Sequence, residues 1–331
     1  MRVRSYWREV GAKIMSIGFI FPGQGSQDVG MGAELAKAFP AAQHVFDEVD
    51  AALGEKLSQI MWNGPKGALT LTENAQPALM AVSMAVMRVL EAERGFVLAD
   101  RVHFVAGHSL GEYSALAAAG TFSIGDAARL LRIRGKAMQA AVPVGVGAMA
   151  ALLGVGLDVA RKVAEAAAQG DVCDVANDNE PTQVVLSGHK TAIDRIAEIG
   201  KAHGVRRALP LPVSAPFHCA LMKPAADVMA EALEKVTMNV PVVPVVCNVT
   251  AAPISDPAEI RRRLVEQVTG TVRWRECIGA MTAAGITDFY EIGTGKILAG
   301  LVKRIAKDAT AVSIGTPADI EAAAAAGLFK L

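Results

Sequence analysis

Ser109 has the local sequence that most clearly suggests covalent chemistry. It lies at the centre of GHSLG at 107–111, which matches the G-x-S-x-G pattern of serine nucleophiles. A strand-like apolar segment at 102–107 leads into the serine and a helical pattern follows it, which is the context that this pattern requires. Flanking glycines let neighbouring backbone pack closely while the hydroxyl points out of the turn. The sequence therefore favours a nucleophilic serine over a chance match of common residues.

A serine hydroxyl at neutral pH needs a base within hydrogen-bond reach. Among six histidines, position favours His218, because it follows the segment 213–217 where the chain leaves a predicted small domain and returns to the cleft. His108 adjoins the serine and is expected to point away from it. Structural or solvated roles are expected for His44, His103, His189 and His203. No carboxylate stands out as a third catalytic member, and no histidine follows His218 near the C-terminus as in an α/β-hydrolase.

Two further segments could bind negative charge. The predicted helix at 124–138 carries several basic residues, which form either a solvated face or a face with one arginine turned inward to grip a carboxylate in bidentate fashion. Periodicity does not select which arginine that would be. The glycine-rich FPGQGSQ at 21–27 follows the first predicted strand and lacks the phosphate-loop patterns. Its backbone N–H groups suit an oxyanion hole better.

The bulk composition excludes several classes of function. Lys+Arg and Asp+Glu both total 33, so no net charge points to nucleic acid or to an anionic membrane. The four cysteines are widely spaced, without a metal-binding pattern, and are interpreted as reduced core thiols. The longest apolar stretch, at 137–157, contains one proline and several glycines and does not predict a membrane span. We expect no metal, no nucleic acid and no membrane among its partners.

Apolar strand-like runs alternate with amphipathic helical segments, which predicts an α/β fold with a parallel sheet. Within 144–213 the pattern becomes β-α-β-β-α-β, the order of ferredoxin-like domains. We therefore predict a core formed by 15–143 and 214–331, interrupted by a small domain at 144–213, with a ligand cleft between them. Residues 1–14 are basic and are predicted to form a tail, and Met15 offers a second start directly before the first strand.

Five motifs in order resemble one family closely. They are FPGQGSQ at 21–27, GHSLGEYSA at 107–115, RGKAM at 134–138, QVVLSGH at 183–189 and LPLPVSAPFHCALMKP at 209–224. Together they look like the bacterial malonyl-CoA:acyl carrier protein transacylases. The match runs from about residue 17 to GTGK at 293–296, so it covers nearly the whole chain. The resemblance implies an α/β-hydrolase-like core with an inserted ferredoxin-like subdomain.

The resemblance also assigns roles to residues. It implies that Ser109 is the acylated nucleophile, that His218 is its base, and that the backbone carbonyl of Gln267 orients the histidine in place of a carboxylate. A neutral carbonyl adds no negative charge beside an anionic substrate. Backbone N–H groups of Gln24 and Leu110 would form the oxyanion hole. The implied substrate-binding residues are Arg134, which would hold the malonyl carboxylate, and Met138, Asn177, Asn179 and Phe217, the last resembling the malonyl-selective form of its motif.

The implied reaction is ping-pong transfer of malonyl from malonyl-CoA to the phosphopantetheine thiol of acyl carrier protein, for fatty acid biosynthesis. We expect a cytoplasmic monomer that uses no cofactor. The exposed basic candidates for carrier-protein contact are Arg206, Arg207, Lys303 and Arg304, although ordinary solvated charge explains each equally well. The alternatives are a serine esterase or thioesterase, an acyltransferase of a polyketide pathway, and a non-catalytic acyl-CoA or carrier-protein binding module.

Overall fold

The computed structural model describes residues 16–328, so the predicted tail at 1–14 lies outside the described residues. The strands are β1 (Ile17–Phe21), β2 (Phe104–Gly107), β3 (Gly147–Leu153), β4 (Cys173–Glu180), β5 (Gln183–His189), β6 (Arg207–Pro210), β7 (Val245–Val246), β8 (Pro253–Ile254), β9 (Asp288–Ile292) and β10 (Thr310–Ile314). The helices before the small sheet are α1 (Ala33–Ala38), α2 (Pro40–Leu53), α3 (Leu57–Asn63), α4 (Lys66–Thr70), α5 (Thr72–Arg94), α6 (Leu98–Arg101), α7 (Leu110–Ala118) and α8 (Ile124–Ala140). The later helices are α9 (Leu157–Ala168), α10 (Lys190–Ala202), α11 (Lys223–Glu234), α12 (Pro257–Thr269), α13 (Trp274–Ala283), α14 (Ile297–Ile305) and α15 (Pro317–Ala325), with a 3₁₀ turn at Ala220–Met222.

A six-stranded sheet with the order β10-β9-β1-β2-β7-β8 forms the centre of the larger unit. Its strand pairs are parallel except for the short β7–β8 pair, as the alternation of strands and helices predicts. β1 and β2 pair in register, with Phe21 opposite Gly107. The loops that leave these two strands therefore emerge side by side at one edge of the sheet, which is where an open α/β sheet binds its ligands.

The smaller unit is a four-stranded antiparallel sheet with the order β4-β5-β3-β6. Helices α9 and α10 pack on it around a separate cluster of buried apolar side chains. The chain order through this unit is β-α-β-β-α-β, as the sequence predicts. Its first strand starts shortly after α8 and its last strand ends shortly before His218, so both connections to the larger unit lie close to the predicted base.

The two units are joined by backbone hydrogen bonds. Val272 N donates to Ala176 O at 2.8 Å, and Asp178 N donates to Val272 O at 2.9 Å, so a loop of the larger unit continues the edge of β4. Arg275 on α13 adds an ion pair with the buried Asp178 at 2.7 Å. These contacts fix the small sheet relative to the large one.

Several boundaries differ from the sequence prediction for identifiable reasons. The strand predicted at 242–248 shortens to β7, because Pro244 cannot donate to a sheet ladder. The strand predicted at 206–213 ends at Pro210, and the helix predicted at 114–119 starts already at Leu110. The sequence prediction omitted the short helices α1, α3, α4 and α6, the longer helices α11 and α15, and the edge strands β8 and β10, all of which belong to the larger unit. All four cysteines are buried free thiols, as predicted.

Candidate active site

Ser109 occupies a sharp turn between β2 and α7, and we call this turn at 107–111 the elbow. Its backbone angles, φ 55° and ψ −110°, are unusual for a residue with a side chain. The turn depends on two close backbone approaches. A Cβ atom added at Gly107 would lie 1.8 Å from Gly111 O, and one added at Gly111 would lie 2.2 Å from Phe21 O. Glycines therefore flank the serine because no side chain fits at either position.

His218 lies beside Ser109, in the position expected of its general base. Its Nε2 atom is 2.7 Å from Ser109 Oγ, and its Nδ1 atom is 2.8 Å from the backbone oxygen of Gln267. Because a carbonyl can only accept, the Nδ1 atom carries the proton and Nε2 is left to accept the serine proton. Burial, together with the charge of Arg134, lowers the pKa of His218 from 6.5 to about 3, so the free imidazole is neutral.

Arg134 projects from α8 into the same site and is only 1% exposed. Its Nη2 atom donates to Ser109 Oγ at 3.1 Å and to Gln267 Oε1 at 2.9 Å, and its Nη1 atom donates to Gln76 Oε1 at 2.8 Å. The next residue, Gly135, allows α8 to lie against the backbone of α5, since a Cβ there would be 2.5 Å from the Cα of Glu73. This contact brings Gln76 on α5 within reach of the guanidinium group.

The two residues expected to form an oxyanion hole both border the cleft. Leu110 is the first residue of α7, where a helix leaves its N–H group without an internal partner. Gln24 belongs to the loop after β1, beside the elbow. Within residues 16–328, neither backbone N–H has a hydrogen-bond partner. Both therefore remain available to a developing negative charge near Ser109.

The cleft has a volume of about 710 Å³ and reaches Ser109, His218 and Arg134. Of the residues implied to bind substrate, Met138, Asn177 and Phe217 line it as well. Asn179 does not line the cleft and instead holds His108, with its Oδ1 atom 2.8 Å from His108 Nε2. His108 itself borders the cleft without contacting the serine hydroxyl. Most of the predicted residues thus line one cavity, while Gln267 and Asn179 each contact a lining histidine from outside it.

The described part of the chain contains no group of three or more His, Cys, Asp or Glu side chains that could hold a metal ion. In residues 16–328, no helix combines the length and the apolar character needed to cross a membrane.

Comparison with known protein families identifies the family of this chain. Residues 18–330 match the model of the acyl transferase domain. This chain belongs to that family. The malonyl CoA-acyl carrier protein transacylase of Salmonella typhimurium is 47% identical over 305 residues, which cover 92% of this chain and 97% of that protein. The corresponding transacylase of Bacillus subtilis is 44% identical, over 93% of this chain and 96% of that protein.

Solved structures show the same acyl transferase architecture. The acyl-carrier-protein S-malonyltransferase of Bartonella henselae superposes with a TM-score of 0.92 and 55% identity, covering 94% of this chain and 99% of that one. A malonyl-transacylase in complex with its type II polyketide synthase acyl carrier protein superposes with a TM-score of 0.89 and 42% identity, covering 93% of this chain and 98% of that one.

Three buried polar residues of this acyl transferase site were missed by sequence reasoning. Asn248 holds both sides of the elbow, since its Oδ1 accepts from Ser109 N at 2.8 Å and its Nδ2 donates to Gly107 O at 2.7 Å. The other two are Gln76, which binds the guanidinium, and Glu112, which lies one helical turn after the serine. A polar residue at the end of a predicted strand is a usable signal for Asn248. No such signal marks Gln76.

Proposed function

We propose that this chain transfers a malonyl group from malonyl-CoA to the phosphopantetheine thiol of an acyl carrier protein, supplying the extender unit for fatty acid biosynthesis. The observation that carries the proposal is the buried guanidinium of Arg134 next to a serine–histidine pair. A buried arginine beside a nucleophile is suited to an acyl group that itself ends in a carboxylate. The identity to transacylases over nearly the whole chain supports the same substrate.

The reaction proceeds in two half-reactions through malonyl-Ser109. In the first, the Ser109 proton moves to His218 Nε2, the serine oxygen forms a bond to the thioester carbonyl carbon, and the carbon–sulfur bond to CoA breaks. The imidazolium returns its proton to the CoA thiolate. In the second, His218 takes the proton of the phosphopantetheine thiol and the sulfur forms a bond to the ester carbonyl carbon. The bond from that carbon to Ser109 Oγ then breaks, and the imidazolium returns the proton to the serine oxygen. Backbone N–H groups of Gln24 and Leu110 stabilise the oxyanion in each step.

Charge distribution favours a malonyl over an uncharged acyl group. Arg134 holds its positive charge 3.1 Å from the serine oxygen, close enough for the far carboxylate of a three-carbon diacid attached there. The histidine is oriented by the neutral Gln267 carbonyl, which adds no negative charge at the base to repel that substrate. Met138, Asn177 and Phe217 would form the remaining walls around the acyl group. Asn179 would influence the cleft only indirectly, by holding the imidazole of His108.

We further propose that residues 15–143 and 214–331 form an α/β-hydrolase-like core and that 144–213 form a ferredoxin-like subdomain. The strand–serine–helix elbow on a parallel sheet and the β6-β3-β5-β4 order of the small sheet support these assignments. We expect a cytoplasmic monomer. The two half-reactions need only a nucleophile, a base and hydrogen-bond donors, so we also expect no metal or redox cofactor.

The carrier protein is expected to approach the open side of the cleft. Carrier proteins are usually acidic, so exposed basic residues would steer them. Arg206, Arg207, Lys303 and Arg304 are all exposed, and Arg304 already has an acidic neighbour, with its Nε atom 3.7 Å from Glu180. These four remain candidates for that contact.

Transfer of radiolabelled malonyl from malonyl-CoA to a phosphopantetheine-bearing carrier protein tests the proposal. We expect rapid transfer by the wild-type chain and none by Ser109→Ala. Release of free malonate without carrier protein, at a rate matching transfer, would instead identify a thioesterase. Binding of malonyl-CoA without either reaction would identify a non-catalytic module.

A further inference from the structure

Glu112 is a buried carboxyl group that the proposed reaction does not use. It lies on α7, three residues after Ser109, and is 1% exposed. Its Oε2 atom accepts hydrogen bonds from Gln267 Nε2 at 2.8 Å and from Asn248 N at 3.1 Å. No ion pair to Glu112 is present among residues 16–328, and burying a carboxyl group without one is costly, which favours a role of this group in the site.

The side-chain amide of Gln267 connects this carboxyl group to the substrate-binding arginine. The amide is fully buried, and its Oε1 atom accepts from Arg134 Nη2 at 2.9 Å. Its Nε2 atom donates to Glu112 at 2.8 Å and to the backbone oxygen of Ser109 at 2.9 Å, with a longer contact of 3.3 Å to Asn248 Oδ1. If the Gln267 amide were rotated by 180°, its N–H groups would face the N–H groups of Arg134 and its oxygen would face the carboxyl oxygen of Glu112. Neither pair can form a hydrogen bond when the carboxyl group is ionised. Glu112 supplies an acceptor that makes this reversed orientation unfavourable.

We propose that Glu112 is a positioning residue that fixes the Gln267 amide with its oxygen toward Arg134, so that the guanidinium group is held in place for a carboxylate-bearing acyl group. This inference rests on the proposed function, since it assigns Glu112 to malonyl selectivity. The role requires an acceptor oxygen rather than a full negative charge. Consistent with that, burial raises the pKa of Glu112 to about 7, and the neutral acid still offers a carbonyl oxygen.

The prediction differs from that of a merely structural residue. Glu112 also supports Asn248, which holds the elbow, and damage there would slow every acyl group equally. Loss of the amide orientation would slow malonyl transfer only, because an uncharged acetyl group does not use the guanidinium. The ratio of kcat/KM for malonyl-CoA to kcat/KM for acetyl-CoA separates the two roles.

The experiment measures this ratio in four folded proteins by transfer to carrier protein. We expect Glu112→Met, which keeps side-chain volume and removes the acceptors, to lower the ratio about ten- to a hundred-fold, the effect of one hydrogen bond to a charged group. Glu112→Gln keeps an acceptor oxygen and should stay within about three-fold of wild type. The matched control is Glu291→Gln, which alters another buried carboxyl group outside the cleft and should leave the ratio unchanged.

A second variant covers the case in which Glu112→Met does not fold. Gln267→Leu removes the amide but keeps the backbone carbonyl that binds His218, and it should lower the ratio to a similar extent. An unchanged ratio in Gln267→Leu, or equal losses for malonyl and acetyl in Glu112→Met, would overturn the proposal. Failure of the wild-type chain to transfer malonyl at all would refute the proposed function instead, so the two failures are distinguishable.

Discussion

Replacing Arg134 by alanine should remove the preference for malonyl-CoA. The guanidinium is buried and reaches the serine oxygen, so the variant should lose bidentate binding of the substrate carboxylate. Two charge-assisted hydrogen bonds of about 1.5–3 kcal/mol each give about 3–6 kcal/mol, or roughly 10²- to 10⁴-fold in kcat/KM. Reactivity toward acetyl-CoA should persist, because Ser109 and His218 are unchanged.

The assay compares kcat/KM for malonyl-CoA and acetyl-CoA in transfer to carrier protein. Arg129→Ala is the matched control, since this arginine lies on the same helix α8 with its side chain half exposed and paired with Asp126. Thermal unfolding of both variants tests whether the loss of contacts to Gln76 and Gln267 affects folding. Malonyl kinetics of Arg134→Ala within about three-fold of wild type would refute the carboxylate grip.

Three further predictions concern the elbow, the base and the buried acid. Gly107→Ala should fail to yield folded protein, because its Cβ would collide with Gly111 O, whereas Gly279→Ala on α13, which meets nothing within 4 Å, should unfold at a temperature close to that of wild type. Because the pKa of His218 is lowered to about 3, the base stays unprotonated, and kcat/KM for malonyl-CoA should stay constant from about pH 8 to about pH 5. A decrease in kcat/KM centred near pH 6.5 would instead indicate an imidazole with its ordinary pKa. The pKa of Glu112, raised from 4.5 to about 7, makes its stabilising contribution present below pH 4.5 and lost as the pH rises through 7. The free energy of unfolding of Glu112→Gln minus that of wild type should therefore rise as the pH is raised from 4.5 to 7, by up to about 3 kcal/mol in urea unfolding. The same difference at pH 4.5 and at pH 7 would contradict this.

The sequence predicted the parts of the fold that have a strong local pattern. The strand–serine–helix context located β2, Ser109 and the following helix, and the β-α-β-β-α-β order of the small unit was read correctly. The alternation of apolar and polar residues was a weaker signal where prolines shorten a strand, as in β7. It was also weaker in a short edge strand such as β10, which has too few residues to show the alternation clearly. These elements depend on tertiary pairing more than on local propensity.

The site was predictable where a residue lies in a motif and less so where it acts through a contact between distant segments. Position alone favoured His218, but periodicity could not select Arg134 among the basic residues of α8. That choice depends on Gly135, which lets α5 approach and bring Gln76 to the guanidinium. Gln76, Glu112 and Asn248 were missed because their hydrogen bonds join segments far apart in the chain.

Mass spectrometry of the protein after treatment with malonyl-CoA tests the central claim most directly. A hydroxyl activated by His218 and faced by Arg134 should acquire one malonyl group, which peptide mapping places on Ser109 and which Ser109→Ala does not acquire. A folded wild-type protein that forms no adduct, or that carries the malonyl group on another residue, would contradict the account.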